Sequence, residues 1–321
     1  MNKSLIVALP QLSPVWMNRD GGLAKVIETI DKAAKGGAGL IVFSESYVPG
    51  YPFWLDITGG AKFDDSAQKE IFALYSDQAI TPEMGHLDAV CAALKAHKMA
   101  CYLGVIERAA DRGGHSLYCS YIYIDADGVI GSVHRKLQPT YEERLVWSPG
   151  DGHGLRTHKL GAFTVGGLNC WENWMPLSRA ALYAQGEDVH VACWPGNMRN
   201  TEDITPVLAK EGRSYAISCS SIMRAADVPD DMPLADEIKA GLRACVEGMG
   251  ANGGSCIANP DGTWLLPPQP NVESLRFATL EPAFVRRERQ NFDPSGHYSR
   301  PDVTRLIVNR ERQSLVRFED E

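Results

Sequence analysis

No run of apolar residues in this chain approaches membrane-spanning length, and Met1 to Pro10 hold too short an apolar stretch for a signal peptide. That opening segment reads as a first strand, no membrane is expected as a partner, and the expected location is cytoplasmic. Clusters of Lys and Arg are also missing. With a net charge of −8 over 321 residues, the chain lacks the electrostatic footprint of a nucleic-acid binder. The eight cysteines form no C-x-x-C pair, and no histidine stands at zinc-ligand spacing from any of them. Neither a structural metal nor a disulfide framework is expected in a chain of this size and compartment. Short repeats, low-complexity tracts and linkers are absent as well. What remains is an ordinary globular composition, 44% hydrophobic and 22% charged, with ample interior for one large core.

Along the chain, helix and strand patterns alternate. Leu23, Val26, Ile27 and Ile30 recur at helical steps before Gly36 and Gly37, and Leu87, Val90, Cys91 and Leu94 repeat the pattern. Apolar strands follow at residues 39–45 and 99–107. Residues 117–125 and 129–134 read as a hairpin on an Asp127-Gly128 turn, and residues 256–265 as another on Asp261-Gly262. The second half echoes the first: a strand ending at Cys170, a helix carrying Leu177, Ala180, Ala181 and Ala184, a strand over 188–194, a helix over 205–214 and a strand over 215–223. Hairpins among β-α units imply mixed sheets. Residues 227–236 read as an exposed loop, and the chain divides into one domain over 1–290 and a tail over 291–321.

Three strand ends carry candidate chemistry. Glu45 closes an apolar strand ahead of the Pro- and aromatic-rich loop Tyr47 to Trp54; it is either a functional carboxylate or a strand-end acid that pairs with an arginine or caps a helix. Lys136, in His134-Arg135-Lys136-Leu137, taken alone reads as a solvated charge, and Glu142 and Glu143 as a helix-start acidic pair. Cys170 alone reads as a core thiol, unless a helix N-terminus or a cation favours its thiolate. Together the three supply a base, a cation for developing negative charge and a nucleophile.

The segments Phe43-Ser44-Glu45-Ser46-Tyr47-Val48-Pro49-Gly50-Tyr51-Pro52, His134-Arg135-Lys136-Leu137-Gln138-Pro139-Thr140 and Gly167-Leu168-Asn169-Cys170-Trp171-Glu172-Asn173 resemble the nitrilase superfamily of carbon–nitrogen hydrolases, and its true nitrilase branch most closely. Further likeness runs through Leu182 to Glu187 and Phe292 to Asp302. The resemblance implies a four-layer α-β-β-α sandwich with two mixed sheets. It also implies a Glu45, Lys136 and Cys170 triad, with Glu143 as a second glutamate beside the lysine. Trp171 and Glu172 after the cysteine are similar to the nitrilase signature, where amidase branches carry tyrosine and aspartate. Ser44 departs from the usual proline, and residues 224–248 match little of the family.

The implied reaction hydrolyses a nitrile to acid and ammonia through a thioimidate and a thioester on Cys170, with no metal or organic cofactor. Trp54, Tyr141, Trp171, Trp194 and Met198 are the expected pocket walls, each equally readable as core, and their aromatic character favours aryl or arylaliphatic nitriles. Amide or carbamoyl-amide hydrolysis and cyanide hydration are the rival activities; a silent scaffold and a redox thiol are rivals of another class. Self-association to a dimer or a longer spiral is expected.

Overall fold

The computed structural model describes residues 4–245, 249–316 and 319. Residues 1–3 of the expected first strand, 246–248 of the unmatched segment, and 317, 318, 320 and 321 of the tail lie outside them.

Among the described residues there are two six-stranded mixed sheets. The first runs, edge to edge, through Ser274–Leu280, Leu5–Gln11, Leu40–Val42, Ala100–Arg108, Leu117–Ile124 and Ile130–Arg135; the second through Trp264–Leu266, Cys256–Ala258, Tyr215–Ser220, Val189–Trp194, Phe163–Asn169 and His158–Leu160. In each, three parallel strands are flanked by antiparallel ones. Strand alternation then dictates the layering. Val7, Leu9, Leu40, Val42 and Tyr102 point from the first sheet at Val165, Val191, Ile217 and Cys219 of the second. The residues between them, Ala8, Ile41, Phe43 and Cys101, face outward onto Val26, Ile30, Val90 and Leu94 of two helices, Arg19–Lys35 and Asp88–His97. On the far side, Ala192 and Ala216 pack on Leu208 and Ala209 of helix Ile204–Gly212, and Leu168 packs on Ala181 and Leu182 of helix Pro176–Tyr183. The result is the expected α-β-β-α sandwich.

Local chemistry sets the boundaries. Asn18 accepts from the Gly21 N–H at the start of the first helix, and Gly37 leaves it with φ +76°. The expected strand over 215–223 is broken at Ser221: Tyr215–Ser220 stays in the large sheet, while Ile222–Arg224 turns away to pair with Met249–Asn252. The loop expected over 227–236 gives way at Ala235 to a helix, Ala235–Ala244, whose Ile238 and Leu242 are buried. The tail folds back on its own chain. Val308 packs beside Leu137 and Leu155, and Arg312 donates to Asp151 at 3.0 Å and to the Val133 carbonyl at 3.0 Å. No helix among the described residues is long and apolar enough to cross a membrane.

Candidate active site

The sandwich brings the ends of three strands to one place. Glu45 lies three residues past Leu40–Val42, and its N–H donates across to the Trp194 carbonyl at 3.3 Å, tying the two sheets together. This crossing needs Gly104: a Cβ there would sit 2.0 Å from the Ser44 carbonyl oxygen. Ser44, the departure from the family's proline, spends its hydroxyl on a hydrogen bond with Ser221. Lys136 follows Ile130–Arg135 directly, its N–H held by the Cys119 carbonyl at 2.8 Å. Cys170 follows Phe163–Asn169 at a left-handed φ of +48°, a strained turn for a non-glycine residue.

The structure brings Glu45, Lys136, Glu143 and Cys170 together, all buried. Lys136 is not solvated: its Nζ lies 2.8 Å from Glu45 Oε1 and 2.7 Å from Glu143 Oε2. Glu143 also accepts from the Tyr51 hydroxyl at 2.9 Å and from the Thr140 N–H at 2.6 Å. Glu142 receives only a long bond, at 3.4 Å, from the same Tyr51 hydroxyl. Burial pushes the Glu45 carboxyl up to about 7 against the pull of Lys136, with Glu143 adding to the rise. Burial pulls the Lys136 ammonium down, yet Cys170, Glu45 and Glu143 together hold it well above its ordinary value. For Cys170 the outcome differs from a thiolate favoured by a cation. Burial and then Glu45 push the thiol well up, and Lys136 only partly offsets them. A neutral thiol thus lies close to a carboxylate that titrates near neutrality.

Two buried networks hold the Cys170 turn. Glu172 accepts from the Asn169 N–H at 2.8 Å, the Leu137 N–H at 2.5 Å and His134 Nε2 at 3.0 Å, so one carboxylate joins the Cys170 turn to the residue after Lys136. Burial alone would push its carboxyl up, but His134 and the two N–H donors bring it below the ordinary value. Asn173 donates to the Cys170 carbonyl at 2.8 Å and meets His190 Nε2 at 2.7 Å, and His190 Nδ1 in turn meets Glu187 at 3.0 Å. Sequence reasoning passed over Glu172 as a tether, and also His190 and Tyr51. A buried acid three residues after Asn169 is a capping-box signal, and both capping bonds are present.

Cys170 opens on a cavity of about 630 Å³ whose walls include Tyr51, Phe53, Ile57, Trp171, Asn197 and Leu242. Of the expected walls, Trp171 is there, with Pro195, Gly196 and Asn197 of the segment that follows Trp194. Trp54 is not: it is 1% exposed and packs on Tyr75 and Trp16 in a neighbouring core. Trp194 is also core, its indole N–H given to Ser218 at 3.1 Å, because alternation in strand Val189–Trp194 turns it to the helix side. Tyr141 is 81% exposed and, like Met198, does not line the cavity. Leu242, Cys245 and Gly250 supply walls that no motif had marked.

Oxygen and sulfur atoms of Glu45, Glu143 and Cys170 lie within 4.8 Å of one another, close enough to hold a metal ion. The Lys136 ammonium already bridges both carboxylates, so the chain supplies the cation of this cluster itself.

Against known proteins, the carbon-nitrogen hydrolase family model matches residues 6–290. A nitrilase from Pseudomonas syringae pv. syringae is 36% identical over 324 residues, covering 96% of this chain and 91% of that protein. An aliphatic nitrilase from Rhodococcus rhodochrous is 32% identical over 324 residues, 97% of this chain and 81% of that protein. Among solved structures, Saccharomyces cerevisiae Nit3, a member of branch 10 of the nitrilase superfamily, has the same fold. Its TM-score is 0.69 at 18% identity, covering 92% of this chain and 97% of that one. The sandwich, the family match across nearly its whole length and these full-length relatives place the chain in the nitrilase branch of the carbon–nitrogen hydrolase superfamily, as a hydrolase of carbon–nitrogen bonds.

Proposed function

We propose that the chain is a nitrilase, with Cys170 as nucleophile, Glu45 as general base and acid, Lys136 as the cation that meets developing charge, and Glu143 as the group that fixes Lys136. The observation that carries this reading is the ammonium held at 2.8 and 2.7 Å between two buried carboxylates beside a buried thiol at the cavity floor. Glu45 takes the Cys170 proton and the sulfur adds to the nitrile carbon. Negative charge growing on nitrogen is met by Lys136 and the Trp171 N–H, and the proton returns to nitrogen to give a thioimidate. Glu45 then activates water; the C–N bond breaks, ammonia leaves, and a thioester remains on Cys170. A second water releases the carboxylic acid and restores the thiol. If the tetrahedral intermediate expels sulfur first, the product is the amide.

Nitriles are favoured over amides by the nitrilase relatives and by Trp171-Glu172 following the cysteine. Tyr51, Phe53 and Trp171, with Ile57 and Leu242, give the cavity an apolar, partly aromatic wall, which supports aryl or arylaliphatic nitriles as substrates. The test is a panel of benzonitrile, phenylacetonitrile, a short aliphatic nitrile and the matching amides, with ammonia, acid and amide measured. Turnover of amides alone overturns the nitrilase reading, and turnover of short aliphatic nitriles alone overturns the aromatic preference.

The same reading includes self-association, with residues 291–321 contributing to subunit packing, in a cytoplasmic protein. Trp174, Met175 and Leu177 are exposed side by side where helix Pro176–Tyr183 begins, an apolar patch suited to a second copy. Light scattering on a size-exclusion column that returns the mass of one chain overturns it.

A further inference from the structure

Among the described residues, Glu45 Oε1 has two donors and its other oxygen has none. Lys136 Nζ reaches Oε1 at 2.8 Å and the Cys119 thiol reaches it at 3.5 Å, while Oε2 is buried without a hydrogen-bond partner among the described residues. Cys119 lies in strand Leu117–Ile124, 1% exposed, and does not line the cavity. Its other acceptor, Asn169 Oδ1, is 4.0 Å away and already receives the Cys193 thiol at 3.1 Å. Burial and the Glu45 charge hold the Cys119 proton in place, so this sulfur serves as a donor and not as a second nucleophile. Its backbone carbonyl meanwhile accepts the Lys136 N–H at 2.8 Å, so one residue touches both charged partners of the nucleophile.

Resting on the reading of Glu45 as the base, we propose that Cys119 is a positioning residue: its S–H pins Glu45 Oε1 beside Lys136 and so presents Oε2, the unpartnered oxygen, to the Cys170 proton. A donor to a carboxylate favours the ionised form, so its removal makes the base harder to ionise and freer to turn. Glu45 also faces Lys136, Glu143, Cys170, Cys193, Tyr51 and Tyr75. Lys136 favours its charge and Glu143 opposes it, and a change at Cys119 leaves all six in place.

The test follows alkylation of Cys170 by iodoacetamide across pH, read by peptide mass so that the other cysteines do not contribute. In Cys119→Ala the acid limb of that profile moves up by about half a pH unit or more. In Cys119→Ser, where a stronger donor replaces the thiol, it moves below the wild-type position. A limb that does not move in folded Cys119→Ala overturns the proposal, since a merely structural role would change stability without moving it. Should circular dichroism show that the alanine variant does not fold, the serine variant decides: a limb moved down supports the proposal, and one unmoved or moved up overturns it. A wild-type profile without an acid limb, or full reactivity at all pH in Glu45→Gln, instead defeats the reading of Glu45 as base, and this assignment with it.

Discussion

Arg135 and Lys136 are chain neighbours, and both are buried against carboxylates. Arg135 gives Nε and Nη2 to the two oxygens of Glu107 at 3.0 and 2.7 Å, adds two bonds to Asp111 and lies over the Tyr118 ring. Ser120 donates to Glu107 as well, at 2.6 Å, so each Glu107 oxygen has a donor. Lys136, turned the other way by strand alternation, also holds two carboxylates, yet among the described residues one oxygen of Glu45 is left without a donor, and a cavity opens beside the cluster. One cluster is closed and structural; the other keeps an acceptor in reserve next to a thiol. Burial of charge does not separate them, but incomplete satisfaction does.

The sharpest way to break this contrast is at the sulfur. Cys170→Ala is expected to lower ammonia release by about 10⁴-fold or more, and Lys136→Met by a similar order, with circular dichroism unchanged. Retained nitrile hydrolysis in Cys170→Ala ends the mechanism. Arg135→Met should do the reverse. It strands Glu107 and costs about 3–5 kcal/mol in denaturant melts, while kcat per folded molecule stays within about twofold. Gly104→Ala falls between the two, because its Cβ meets the Ser44 carbonyl at 2.0 Å and must displace the Glu45 backbone. It should destabilise by about 1–3 kcal/mol and lower kcat by about 10²-fold, both readable on one preparation. The smallest effect is on pH. Glu45, raised to about 7, accepts a proton only when ionised, so kcat/KM should fall about tenfold per unit below that value. The linked stability has the opposite sense: a raised carboxyl supports the fold fully below its ordinary 4.5 and loses that support as pH climbs through about 7.

The layers were legible because period-two and helical spacing survive in residues such as Ile41 and Val42, or Val26 and Ile30, which need only be apolar on the correct face. The residues proposed to react were marked by motifs, since each lies at or just past a strand end where the local sequence is distinctive. Their surroundings were harder to read. Trp54, Trp194 and Tyr141 are aromatic and near the motifs in sequence, but the side Trp194 faces is set by strand pairing, while Trp54 and Tyr141 open the short helical turns Trp54–Ile57 and Tyr141–Leu145, whose orientation is set by tertiary packing. Helix Ala235–Ala244, with a buried face of only Ala235, Ile238 and Leu242, gave no sign that Leu242 borders the cavity. The Glu107 and Glu45 carboxylates look alike in sequence; only the count of donors around each distinguishes them.

The three bonds accepted by Glu172 have a consequence for how such an enzyme can diversify. They fasten the Cys170 turn to the lysine segment, using none of Ile57, Asn197, Asn200, Leu242 or Gly250, which border the cavity. On the proposed mechanism, the reactive floor and the part of the wall formed by Ile57, Asn197 and Leu242 are thus separate assemblies. Substitutions in that part of the wall are free to reshape what is admitted, while the spacing between sulfur and ammonium stays anchored by parts of the chain that the substrate does not meet.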